Sequence, residues 1–529
     1  MEASAIGSSQ AKLRKSELAY REVRFCYLKD SFGLSNSRIC FDRSPAWKKA
    51  GMRLTVRAFQ FEAVREESRS PSAKTSKSLN DVRLFVGLPL DAVSSDCSSV
   101  NHARAIAAGL KALKLLGVEG VELPIWWGIV EKDCMGKYEW SGYLAIAEMV
   151  QNAGLKLHVT LCFNGSKTPS IPLPKWVSQI GDSEPGIFFT DRSGQRYKGC
   201  LSFAVDELPV FNGKTAAQVY QGFCESFKSS FAHFMGSTIT GISMGLGPEA
   251  ELRYPSHHKL PNIHGVGEFQ CYDKNMLCLL KKHAEASGNP LWGLGGPHDA
   301  PNYRQSPNSG GFFTDGGSWE SPYGNFFLSW YSDMLVAHGD RLLSIAATTF
   351  DCQVSVYGKI PLMHSWYRTR SHPSELTAGF YNTQNRDGYE AVANMFAKNS
   401  CKMICPGMDL SDANQPHETL SSPELLLAQI MAACRKHGVK VSGQNAGAGA
   451  PEDFEQIKRN LSGDNVLDLF TYNRMGAHFF SPEHFPSFTK FVQSLNQLEL
   501  HTDDLPAEDE EAAESLVNSS ESSKQLQAA

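Results

Sequence analysis

Two carboxylates and a guanidinium stand close together in Gly245-Leu246-Gly247-Pro248-Glu249-Ala250-Glu251-Leu252-Arg253-Tyr254-Pro255. The preceding Thr238-Ile239-Thr240-Gly241-Ile242-Ser243-Met244 alternates and is rich in β-branched residues, the pattern of a buried strand. Glycines and a proline end that strand abruptly. A carboxylate just past the C-terminal end of a parallel strand sits where α/β barrels keep their chemistry. The same residue types also make an ordinary surface loop with a Glu–Arg pair, and the segment alone does not decide between the two.

Such a loop needs a scaffold. From Asp81 onward the chain alternates apolar strand patterns with amphipathic helix patterns. Strands are expected at 84–90, 120–127, 155–163, 238–244, 353–357, 402–405, 439–443 and 466–472. Between them, three-and-four spacing of apolar residues predicts helices at 100–116, 143–153, 219–234, 325–347, 386–397, 423–436 and 485–498. Eight such alternations predict an α/β fold, a (β/α)₈ TIM barrel with long loops at the C-terminal face of the strands. A doubly wound sheet ranks below it, because no Gly-rich phosphate turn follows the first strand. Residues 256–325, rich in Gly, Pro, Asn and His, read as one long insertion after the fourth strand.

With 529 residues, 42% of them hydrophobic and 20% charged, the chain can bury a large core. A net charge of -5 makes no electrostatic case for nucleic acid. No apolar run reaches the roughly 18 residues that a membrane span requires. Thirteen cysteines without a Cys-x-x-Cys pair predict reduced thiols in a reducing compartment, with no zinc or disulfide framework, and no cofactor is expected. Residues 1–80 carry 16 Lys and Arg against 8 Asp and Glu, interleaved with Ser, which predicts a plastid or mitochondrial transit peptide and a linker. A disordered basic arm is the alternative. The barrel is expected over 81–500. The tail, 501–529, is acidic and is expected to be disordered.

Gly-Leu-Gly-Pro-x-x-Glu-Leu-Arg-Tyr-Pro resembles the segment that carries the general acid in plant β-amylases. Those are inverting exo-hydrolases that release maltose from the non-reducing ends of α-1,4-glucans. The resemblance runs from about Asp81 to Leu500 through Trp126-Trp127-Gly128, Gly267-Glu268-Phe269-Gln270-Cys271-Tyr272-Asp273, Trp330-Tyr331-Ser332 and Glu375-Leu376-Thr377-Ala378-Gly379-Phe380-Tyr381-Asn382. It implies that Glu251 takes the proton-donor position. An inverting glycosidase needs a second carboxylate as general base. At the position the resemblance assigns to that base, in Val441-Ser442-Gly443-Gln444-Asn445, stands Gln444. The resemblance also implies sugar contacts by Trp126, Arg253, Lys359, His364, Trp366, Asn445 and Arg474. Indole faces suit the C–H faces of glucose, and the cations and amide donate to hydroxyls. Without the resemblance, Trp366 reads as core and Arg474 as a barrel-end ion pair.

Other positions depart from the family. Pro124 stands where active members have an Asp that holds the terminal sugar, and Asn164 replaces a His. The loop Gly165-Ser166-Lys167-Thr168-Pro169-Ser170 is shorter than the family's flexible lid. Pro406 takes the place of a Thr that contacts the reacting sugar. A general base is worth about 10²–10⁴ in rate, and a closing lid matters comparably. The expectation is therefore a plastid, non-catalytic relative that binds α-1,4-glucan weakly or contacts an active starch-degrading enzyme. A slow enzyme using Glu249, Glu452 or Asp453 as base is the alternative. A nuclear regulator would need a basic DNA-binding helix, which residues 1–80 do not supply.

Overall fold

The apolar runs become strands, and the strands close on themselves. In a computed structural model, ten strands occur in chain order: β1 (Arg83–Gly87), β2 (Gly120–Trp126), β3 (Lys156–Cys162), β4 (Phe188–Thr190), β5 (Arg196–Leu201), β6 (Ile239–Met244), β7 (Ser355–Lys359), β8 (Lys402–Cys405), β9 (Val441–Gln444) and β10 (Leu469–Tyr472). Eight of them form a closed parallel barrel in the order β1-β2-β3-β6-β7-β8-β9-β10, and β4 pairs antiparallel with β5 outside it. This is the expected (β/α)₈ barrel. The structure describes residues 82–257, 265–350, 353–447, 451–462 and 467–496. The expected basic arm, 1–80, and acidic tail, 501–529, lie outside the described residues.

Burial follows the layered architecture. All seven residues of β2 are buried, because its inner face meets the barrel interior and its outer face meets helices. Helix Ala103–Leu116 buries Ile106, Gly109, Leu110 and Leu113, a single stripe at three-and-four spacing. Helix Ala216–Ser230 starts at a capping box, with Thr215 Oγ1 accepting from Gln218 N and Gln218 Oε1 accepting from Thr215 N. Such a cap contributes about 1 kcal/mol.

Pro124 lies inside β2, where a proline would ordinarily remove a ladder bond. Glu122 O accepts from Leu88 N at 2.8 Å, so the polar groups of Glu122 point toward β1. Alternation then points the backbone of Pro124 to the same side. The β1 pairing has ended there, its last partners being Gly87 and Glu122. The missing N–H therefore falls where no strand asks for it.

The 256–325 segment, read as a long insertion after the fourth strand, carries a helix of its own. That helix is Lys274–Ala286, N-capped by Asp273, whose carboxylate accepts from Asn275 N and Met276 N. Asp before an apolar series at four-residue spacing (Met276, Leu280, Ala284) was the available signal. Helix Lys175–Ser183 and the β4–β5 hairpin were also not anticipated. Two boundary shifts bear on the site. β7 extends to Lys359 and β9 to Gln444, so both side chains sit on the last strand residue. Among the described residues no disulfide forms, no group of three or more His, Cys, Asp or Glu is placed to hold a metal, and no helix is long and apolar enough to cross a membrane.

Candidate functional site at the barrel mouth

The segment after β6 is folded tightly against the barrel rim. A Cβ at Gly245 would lie 2.4 Å from Leu161 O, which accounts for the glycine. Glu249 and Ala250 both adopt left-handed backbone, with φ of 56° and 62°. Non-glycine residues pay strain there, and two in succession mark a segment held by its surroundings. Ala250 N donates to Asn164 Oδ1 at 3.1 Å, and Leu252 N to Lys359 O at 2.8 Å. From behind, buried His338 places Nε2 3.0 Å from Leu246 O and Nδ1 2.7 Å from Asp206 Oδ2.

That packing delivers Glu251 to a nest of charge. It is 8% exposed, with Oε2 accepting from Arg253 Nε at 2.8 Å and Oε1 lying 3.1 Å from Lys359 Nζ. Arg253 also reaches Glu249 Oε2 at 3.1 Å. Burial works against the Arg253 charge, but Glu251 and Glu249 outweigh it and push its pKa up. In return, Arg253 lowers the pKa of Glu249.

A cavity of about 490 Å³ opens beside this cluster, within the range of small-molecule sites. Its wall includes Trp126, Arg253, Lys359, Gln444 and Arg474, with the departing positions Pro124 and Asn164. Gln444 is 7% exposed, and its backbone carbonyl accepts from Met408 N. Its side-chain amide can orient a water but cannot take its proton near neutral pH. Trp126 is fixed by its indole N–H on Leu90 O at 2.8 Å.

Five expected residues are not on the lining of this cavity: Glu251, which is held by the wall residues Arg253 and Lys359, and four others. His364 and Trp366 are not among the residues that line this cavity. Trp366 is 9% exposed and packs within the core, leaving little ring face for a sugar. Burial pulls the pKa of His364 down to about 4, so it is neutral at pH 7. Asn445 is a brace between strand ends: it donates to Gly447 O and Asn473 O and accepts from Asn473 N. Pro406 is half-buried and off the cavity wall. Behind it, Asp409 accepts from Ala446 N and Gly447 N, both at 2.6 Å, tying the loop after β8 to the loop after β9.

Several wall residues were missed by the sequence reading. Tyr197 comes from β5 and Ser243 from β6. Glu122, 3% exposed, projects from β2 on the same face as Pro124 and Trp126. Strand alternation in Glu122-Leu123-Pro124-Ile125-Trp126 was the signal for it. The short loop is also fastened. Gly165 N donates to Gly199 O, and Ser166 and Ile171 exchange both backbone bonds.

Residues 85–499 match glycosyl hydrolase family 14. The chain is 60% identical to "Inactive beta-amylase 9" of Arabidopsis thaliana, covering 97% of each chain. It is 38% identical to "Beta-amylase 2, chloroplastic" of Oryza sativa subsp. japonica, covering 83% of this chain and 82% of the other. Its fold matches the crystal structure of the catalytic domain of a β-amylase from Paenibacillus polymyxa, with a TM-score of 0.66 and 26% identity over 80% of this chain and all of that one. A closed barrel with Glu251 at the mouth and a family match spanning it lead to one conclusion: the chain belongs to glycosyl hydrolase family 14, the β-amylases.

Proposed function

We propose that this protein is a plastid β-amylase homologue that does not hydrolyse glucan at an appreciable rate and acts in starch breakdown by binding or regulation. The observation that carries the reading is Gln444, an amide on the cavity wall at the position of the general base. Loss of a base alone lowers the rate by about 10²–10⁴. Asn164 and the fastened 165–171 loop stand where active members have a His and a flexible lid. The name of the Arabidopsis relative supports the same reading. Glu249 is a poor substitute base, because it sits on the same loop as Glu251 and faces Arg253. An inverting reaction needs its base on the opposite side of the sugar. Glu452 is exposed on helix Pro451–Leu461.

In this reading residues 1–80 are a transit peptide with a linker, 81–500 the barrel and 501–529 a solvated acidic tail. The protein resides in the chloroplast stroma, binds α-1,4-glucan no better than about millimolar, and contacts an active starch-degrading enzyme. Purified protein on soluble starch tests the central claim. The expected result is no maltose above background, and release that Glu251→Gln abolishes would overturn it. A full-length fluorescent fusion should give plastid signal, and nuclear signal would refute the localisation.

A further inference from the structure

The mouth cavity contains a carboxylate that the hydrolytic scheme does not use. Two carboxylates line the described wall, and they differ in setting. The Glu249 side chain is 75% exposed at the rim and paired with Arg253. The Glu122 side chain is 5% exposed, deep on β2. Its Oε1 accepts from Thr160 Oγ1 at 2.6 Å. Its Oε2 lies 3.5 Å from Arg474 Nη1, a long contact, and that nitrogen already donates to Leu88 O at 2.5 Å. A carboxylate offers about four lone-pair sites. One good hydrogen bond and one long ion pair leave Glu122 with acceptor capacity facing the cavity. A buried carboxylate is costly to leave so, and donors brought by a ligand or by water must complete it.

The neighbouring charges narrow the class of ligand. Glu251 engages Lys359 and Arg253, Glu249 faces Arg253 and Lys167, and Glu122 and Leu88 O engage Arg474. These cations are already compensated and do not call for an anionic ligand. Ser243 and Gln444 add neutral polar groups to the same wall. The lining therefore suits a neutral molecule that presents several hydroxyl donors.

We infer that Glu122 is the residue by which the cavity grips a sugar ring of a short α-1,4-glucan, accepting hydrogen bonds from its hydroxyls through Oε2. This rests on the reading that the mouth binds glucan without cutting it. Glu122 acts as a positioning and specificity residue, with no bond made or broken. Trp366, in the core, takes no part.

Calorimetry of the full chain with maltotriose tests this, on wild type, Glu122→Gln and Trp366→Phe, with inorganic phosphate as a second probe. The expected result is measurable maltotriose binding that Glu122→Gln weakens by about tenfold or more, the fold-change of one lost hydrogen bond to a charged group. Trp366→Phe should bind as wild type, and phosphate should not bind. If Glu122→Gln does not fold, Glu122→Asp, which keeps the charge but withdraws it by one methylene, is read in its place for the same loss. Undiminished binding in the variant would overturn the assignment, as would wild type that binds phosphate or no sugar. Each of those results leaves the non-catalytic reading standing. That reading fails separately, by maltose release from starch.

Discussion

On the β6–β7 side of the mouth, Glu251, Arg253, Lys359 and Glu249 are held by charge, on a backbone with two left-handed residues in succession. On the β8–β10 side, Gln444, Asn445, Asp409 and Asn473 meet mainly backbone amides and carbonyls. The first half is an ion-pair network around Glu251, the carboxylate proposed above as the counterpart of the family's proton donor. The second half is a hydrogen-bonded knot that, among the described residues, puts the amide of Gln444 on the cavity wall. A reaction that needs an acid on one face and a base on the other finds only the first. The acid side thus persists as architecture, since its charges compensate one another whether or not a proton is ever delivered.

This contrast can be broken or sharpened by experiment. The largest effect should come from Arg253→Met, which leaves Glu249 and buried Glu251 short of a cation. Breaking a buried pair from one side costs about 3–5 kcal/mol, read as a lower denaturation midpoint in urea. No loss would mean that the acid side is not held by charge. On the other side, Asn445→Ala removes two donated bonds and one accepted bond. The expected cost is about 2 kcal/mol, read in the same titration. A larger loss than for Arg253→Met would invert the comparison.

A third effect comes from below the acid side. Burial pulls the pKa of His158 down to about 3, with Arg83 and Lys402 adding to it, and its Nε2 lies 2.7 Å from Ser243 Oγ on β6. In the unfolded chain the ring titrates near 6.5. Between those values the unfolded state holds the extra proton, so stability falls as pH drops below about 6.5 toward 3. Melting temperature followed against pH should show that fall, and His158→Gln should flatten it. An unchanged slope in the variant would assign the acid limb to other groups. The smallest effect is expected from Gln444→Glu. It replaces the base in name while Pro124, Asn164 and the fastened loop remain, so maltose release should stay at background. Turnover approaching ordinary enzyme rates, on the order of 1–10³ s⁻¹, would show that the amide alone silences the site.

Periodicity made the barrel legible, because strand and helix patterns depend on local alternation that a sequence displays directly. The Glu251 segment was legible for the same reason, as a strand ended by glycines and followed by charge. Tertiary placement was not. Trp366 and His364 have the chemistry of sugar contacts, but Trp366 is buried, His364 is half-buried, and neither is on the cavity wall. Asn445 looked like a ligand-facing amide, and the demand of three backbone groups at the ends of β9 and β10 claimed it. Glu122 escaped notice because it sits in an apolar run, where one carboxylate looks like an interruption. Its meaning appears only when Thr160 arrives from β3 and Arg474 from the loop after β10.

The fastening of the 165–171 loop has a kinetic consequence. Ser166 and Ile171 already bond one another, and Gly165 is tied to Gly199, so this loop is braced beside the cavity. A millimolar site with association on the order of 10⁶–10⁷ M⁻¹s⁻¹ empties at about 10³–10⁴ s⁻¹. In the proposed reading, occupancy then follows the surrounding sugar concentration within milliseconds.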